Sequence, residues 1–210
     1  MATIDLGRIL HTRDTQELEK AVQAAIDDPT VMEQLVVGLT SPDDFYRFNC
    51  FQSLLQVSER QPKLVYPTWG RLAAMLKSEN SYHRSIGICM VANLTRVDEL
   101  SRFEEIVDDY FAMLDDESFI TAHFLAQNAG KVARFKPALQ SRITDLLLSV
   151  DATHHKQKEL LKADVIAAFD EFFEESKDKG RIMEFVFRQI ESSSPKTKKV
   201  AQSFLKRRAA

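Results

Sequence analysis

With 44% hydrophobic and 28% charged side chains in 210 residues, the chain holds enough apolar material for a sizeable core, which excludes a disordered segment. Its formal net charge of −3 gives no overall basic field to draw it to nucleic acid or an anionic membrane. Six Gly and six Pro are few, and Leu, Ala, Glu, Lys and Gln dominate, so an all-α chain is expected.

Residues 1–28 read as a lead-in. Asp14 offers a cap, and Leu18, Val22, Ala25 and Ile26 follow at helical spacing. Asp5, Arg8, Arg13, Asp14, Glu17 and Glu19 interrupt any apolar core there, so no signal peptide is expected. Pro29 suits the first turn of a second helix through Met32, Leu35, Val36 and Leu39. Ser41-Pro42-Asp43-Asp44 then reads as a Ser cap, a first-turn Pro and two acids placed against the helix dipole. The helix it opens carries Phe45, Phe48, Phe51, Leu54, Leu55 and Val57 on its apolar positions.

From here the pattern repeats. Trp69, Leu72, Ala73 and Leu76 form a short helix A, and Tyr82, Ile86, Ile88, Val91 and Leu94 a longer helix B. Phe103 to Leu114 and Phe119 to Ala133 are the next pair. Ile143 to Val150 and Leu160 to Phe172 follow, separated by the longer break DATHHKQ. A truncated last unit has Ile182, Phe185, Val186 and Ile190, then Ser194-Pro195 as cap and first-turn Pro, then Val200, Phe204 and Leu205. The anchors Leu39, Leu76 and Leu114 are 37 and 38 residues apart, each followed by a polar break, SPDD, SENS or DDES. A two-helix period in this range marks a helical repeat array.

On that period, and on Arg47 and Arg84 eight residues past their anchors with Lys158 and Lys198 in matching places, the chain resembles a HEAT/armadillo-type helical repeat protein. More narrowly it is similar to small stand-alone prokaryotic HEAT-repeat proteins. The third repeat departs, with Ala122 at the basic position. The resemblance implies an all-α, right-handed α-solenoid of antiparallel helix pairs with about four to five repeats. It would be a single domain over 1–210, with a lead-in helix at 1–28 and repeats near 29–66, 67–102, 103–137, 138–178 and 179–210.

Aligning the repeats sets Gln52, Gln56 and Glu59 beside Cys89, Asn93 and Arg96, and beside Gln127, Lys131 and Arg134. The spacing i, i+4, i+7 puts each trio on one helix face. Because B helices of such solenoids line the surface where partners bind, the expected site is a polar ridge of Gln52, Gln56, Asn93, Arg96, Gln127, Lys131 and Arg134, serving a protein partner.

Catalytic signals are missing from the sequence: it has no G-x-S-x-G, no P-loop and no Gly-rich turn. Gly38, Gly70, Gly87 and Gly130 fall inside helical runs, where close approach of helices explains them. Neither H-E-x-x-H nor a Cys/His cluster accompanies His11, His83, His123, His154 and His155. His154 and His155 would diverge by about a hundred degrees on a helix. No metal, cofactor or small-molecule substrate is therefore expected. Cys50 and Cys89 lie in apolar runs and read as buried thiols of a reducing compartment. With no apolar stretch long enough to span a bilayer, a cytoplasmic protein is expected.

The reading is a non-catalytic scaffold or adaptor. The alternative is a nucleic-acid-binding HEAT-like protein using the segment Lys131–Arg142 (Lys131, Arg134, Lys136, Arg142) and the basic C-terminal helix with Lys196, Lys198, Lys199, Lys206, Arg207 and Arg208. A HEAT-like DNA glycosylase fits less well. Such an enzyme needs aromatic residues to cradle a base around a central carboxylate, and the ridge supplies only Glu59 as an acid.

Overall fold

The computed structural model of the protein describes residues 6–208. Residues 1–5 of the expected lead-in and 209–210 of the last expected repeat lie outside them. The described residues contain helices and no strand. By contacts the chain divides into two compact units, residues 1–99 and 100–210, close to the expected boundary between the second and third repeats.

Unit 1 holds α1 (Leu6–Ile9), α2 (Thr15–Asp27), α3 (Pro29–Gly38), α4 (Asp44–Arg60), α5 (Pro62–Val65), α6 (Trp69–Ala74) and α7 (Ser81–Leu94). The short α1 and α5 were not foreseen, being four residues each and too brief to show a period. Helices α2 and α3 pack on α4, α6 packs on α7, and the two long helices α4 and α7 pack on each other. Unit 2 holds α8 (Arg102–Phe111), α9 (Phe119–Phe135), α10 (Gln140–Leu148), α11 (Lys158–Phe172), α12 (Lys179–Arg188) and α13 (Pro195–Arg208). Here α11 lies between α9 and α13, while α10 packs on α9 and α12 on α13. Its core is aromatic: Phe103 meets Tyr110 edge-on, Phe169 meets both Phe172 and Phe185, and Phe173 meets Phe204. Burying one such ring contributes about 1.5–3 kcal/mol.

The pairs share a local device. Each helix A from the second pair onward ends in a 3₁₀ turn: Met75–Lys77, Ala112–Asp115, Ser149–Ala152 and Gln189–Glu191. These turns carry the anchors Leu76, Leu114, Val150 and Ile190. Tightening the last turn pairs carbonyls that an α-helix would leave bare. Two residues past the anchor, a short polar side chain then accepts from the N–H two positions on. Ser41 Oγ accepts from Asp43 N, Ser78 Oγ from Asn80 N, Asp116 Oδ1 from Ser118 N and Ser192 Oγ from Ser194 N. The residue so held precedes helix B.

That device corrects one expectation. Ser41 does not cap α4; Asp43 does, accepting from the N–H groups of Phe45 and Tyr46. A carboxylate facing the helix N-terminus outcompetes a hydroxyl, and these bonds hold the Asp43 carboxyl below its ordinary range. Asp14 and Asp28 cap α2 and α3 in the same manner, and Ser194 accepts from Thr197 N at the start of α13.

In three of the breaks the basic residue eight past the anchor bonds the carbonyls of the break. Arg47 donates to the Ser41 carbonyl at 2.6 Å and pairs with Asp44. Arg84 donates to the carbonyls of Ser78 and Glu79 at 2.8 and 2.9 Å. Lys158 reaches the carbonyls of Asp151 and Thr153 at 2.8 and 3.3 Å. Three of the four residues aligned in sequence thus do one job. Gly38 and Gly130 lie where another helix leaves no room for a Cβ, and at Gly87 a Cβ would fit tightly, 3.1 Å from the Leu72 carbonyl oxygen, whereas an added Cβ at Gly70 meets nothing within 4 Å.

Candidate binding faces of the long helices

The expected ridge residues have different surroundings. On α4, Gln52 and Gln56 are half-buried, and Gln56 Oε1 accepts from Arg60 at 2.9 Å. Arg60 is itself paired with Glu19 of α2. On α7, Asn93 is 4% exposed and donates to Ser58 Oγ of α4 at 2.8 Å, so its amide ties two helices together and is not presented to a partner. The aligned Cys89 is buried too. The reason is that α7 is packed by α4, α5 and α6, and every residue from Arg84 to Leu94 is buried. Arg96, just past α7 in the turn Thr95–Val97, is exposed. In unit 2, Gln127 and Arg134 of α9 are exposed and Lys131 is half-buried.

Sequence periodicity misplaced two apolar side chains on these same faces, and a third apolar residue is exposed beside them. Phe48 is 55% exposed and Tyr82 is 66% exposed, although both sit in the apolar runs of their helices. Ile120 of α9 is 59% exposed. Phe48 lies four residues before Gln52, and Ile120 lies seven before Gln127, so each shares a helix face with its ridge residues. That shared spacing was the signal available in the sequence. The Arg47 guanidinium lies 5.6 Å from the centre of the Tyr82 ring.

The cations of the nucleic-acid alternative are mostly matched to carboxylates. Lys136 is buried and bonds Glu104 at 3.0 Å, and Arg142 bonds Asp108 at 2.6 Å. Lys196 meets Asp164 at 3.1 Å, while Arg207 and Arg208 share Asp170. Arg134 lies 3.8 Å from Glu171, whose carboxyl also feels Lys131. A cation already facing a carboxylate has less charge to offer a phosphate backbone.

Three of these carboxylates, Asp164, Asp170 and Glu171, belong to α11 and were not singled out in the sequence. Asp164, buried, accepts from Lys196 of α13 and sits 2.8 Å from His123 Nδ1 of α9, so one carboxylate bridges three helices. Glu171 lies across Gly130 of α9. Burial pushes the Glu171 carboxyl above the usual carboxylate range, against the lowering fields of Arg134 and Lys131. A carboxyl raised in the folded state stabilises most below its unfolded value, near pH 4.3, and that contribution is lost as pH rises through the folded value. Glu171→Gln is therefore expected to remove a segment of falling stability above about pH 4.3. Urea midpoints of wild type and variant measured between pH 4 and 8 should converge at the acid end and separate, variant higher, towards neutrality.

Both cysteines are buried and outside any disulfide, and burial pushes Cys50 up to about 11, which leaves it protonated at neutral pH. No helix among the described residues is long and apolar enough to cross a membrane.

Compared with known proteins, the sequence matches no protein-family model and no curated protein.

Proposed function

We propose that the protein is a non-catalytic scaffold of HEAT-like helix pairs, stacked as a right-handed α-solenoid, which binds a protein partner through the exposed faces of its long helices. The observation that carries this reading is the exposure of Phe48 on α4 and Ile120 on α9, helices that also carry Gln52 and Gln127, together with the exposure of Tyr82 at the start of α7. Large apolar side chains standing among amides and a few charges have the composition of a protein-binding patch. Asn93 drops out of the site, and Phe48, Tyr82 and Ile120 enter it. The pairing of Lys136, Arg142, Lys196, Arg207 and Arg208 weighs against nucleic acid.

The test is affinity capture from native lysate with full-length protein, comparing wild type with Phe48→Ser/Tyr82→Ser and with Ile120→Ser/Gln127→Ala. Captured protein should survive a wash at about 0.5 M salt, which screens exposed charge pairs, and fall with either double variant. Equal recovery by all three forms, or recovery of nucleic acid that the same wash removes, would sink the reading.

A further inference from the structure

The breaks between helices A and B obey one rule, and the fourth breaks it. In the others, a Ser or Asp two residues past the anchor accepts from the N–H two positions later. In the fourth that place is Ala152, which has no acceptor, and the N–H left over belongs to His154. It is taken instead by Asp115 Oδ1, 39 residues away, at 2.7 Å. The same oxygen lies 2.6 Å from His154 Nδ1. Asp115 closes the 3₁₀ turn after α8, so the fourth break is pulled onto the end of helix A of the preceding pair.

His155 follows. The residues are not helical here, and the two imidazoles do not diverge: their ring centres are 4.5 Å apart. One ligand atom each from Asp115, His154 and His155 lies within 4.8 Å of the others. His155 is 5% exposed, set edge-on against Phe119, and its buried Nε2 has no hydrogen-bond partner. Buried imidazole nitrogens are ordinarily bonded, and a ring with an orphan nitrogen, standing beside a carboxylate and a second imidazole, has a lone pair or proton left to assign, which a Lewis acid in the cluster would settle. The break is also held rigid, by Lys158 donating to the carbonyls of Asp151 and Thr153 and by Thr153 Oγ1 donating to that of Val150.

We propose that Asp115, His154 and His155 bind a divalent transition-metal ion of the zinc type. Two imidazoles and one carboxylate suit such an ion, and hard cations such as Mg²⁺ favour all-oxygen sites. With Asp115 and His154 exposed, the remaining coordination positions open to water or to a donor group from a partner. The ion would lock the break between α10 and α11 to the end of α8. The site is separate from the faces of the long helices and stands whether or not those bind a protein.

The test is Zn²⁺ titration of chelator-treated full-length protein in competition with a chromophoric chelator, with Co²⁺ absorption as a second readout. Wild type should take up one equivalent and give visible Co²⁺ bands. Asp115→Asn and His154→Asn, both at exposed positions, should weaken binding beyond the roughly 10–100-fold that loss of an outer-sphere partner brings. His123→Asn, outside the cluster, should bind as wild type does. Matching far-UV spectra and metal-free melts would show that the variants fold. Absence of a stoichiometric site, or wild-type affinity in folded Asp115→Asn and His154→Asn, would overturn the proposal.

Discussion

Arg84→Met is expected to destabilise unit 1 by about 3 kcal/mol, and Arg84→Lys to recover roughly half of the loss. Arg84 is buried at the start of α7 and donates to two carbonyls of the break before it. Hydrogen bonds from a charged donor contribute about 1.5–3 kcal/mol each, and methionine fills similar volume without replacing either. The carbonyls of Ser78 and Glu79 would then lose their partner where the chain reverses between helices. Lysine is the informative rescue because the protein already uses it: Lys158 reaches two carbonyls of its own break from the matching position. A single ammonium lacks the planar fork of guanidinium, so the rescue should be partial. Urea denaturation followed by far-UV circular dichroism measures both variants. A loss below about 1 kcal/mol for Arg84→Met would mean that water replaces the guanidinium and that the aligned basic residue has little structural weight.

The helix pairs were legible because their signals are local. Within each pair the anchor, the break with its short polar residues and the basic residue eight past the anchor act within about ten residues, and the set recurs after 37 and 38 residues. What was not legible depends on neighbours far away in sequence. Tyr82 and Ile88 lie in one apolar run, yet Tyr82 is exposed and Ile88 fully buried. A long helix packed from several sides carries apolar residues around much of its circumference, so periodicity does not separate inside from outside. Asn93 shows the converse, since its polarity suggested a surface and its partner, Ser58, lies 35 residues away. The Asp115, His154 and His155 cluster joins residues 39 and 40 apart through a break that forms no helix, so motif spacing could not find it. Its trace in the sequence was an omission, Ala152 where the other breaks have Ser or Asp.

Gly130→Ala is expected to destabilise unit 2 by about 1–3 kcal/mol, while the same change at Gly70 should stabilise unit 1 by about 0.5–1 kcal/mol. Both glycines lie inside helices, where alanine has the better propensity by roughly 1 kcal/mol, so any opposite sign must come from packing. At Gly70 an added Cβ meets nothing within 4 Å, and only the propensity gain remains. At Gly130 the added methyl would lie 2.7 Å from the Ala168 carbonyl oxygen and 2.9 Å from the Glu171 side chain. Glu171 can swing away, but the carbonyl belongs to the backbone of α11 and moves only if α9 and α11 separate. That separation would loosen the fully buried Leu125, Ala126, Ala129 and Ala133 side of α9, and it would strain the His123–Asp164 contact that links the same two helices. Equilibrium denaturation of the two variants gives the comparison directly. Opposite signs would establish that the missing Cβ at Gly130 sets how closely the two long helices approach. A stabilised Gly130→Ala would show that α11 yields at small cost and that its distance from α9 is set elsewhere.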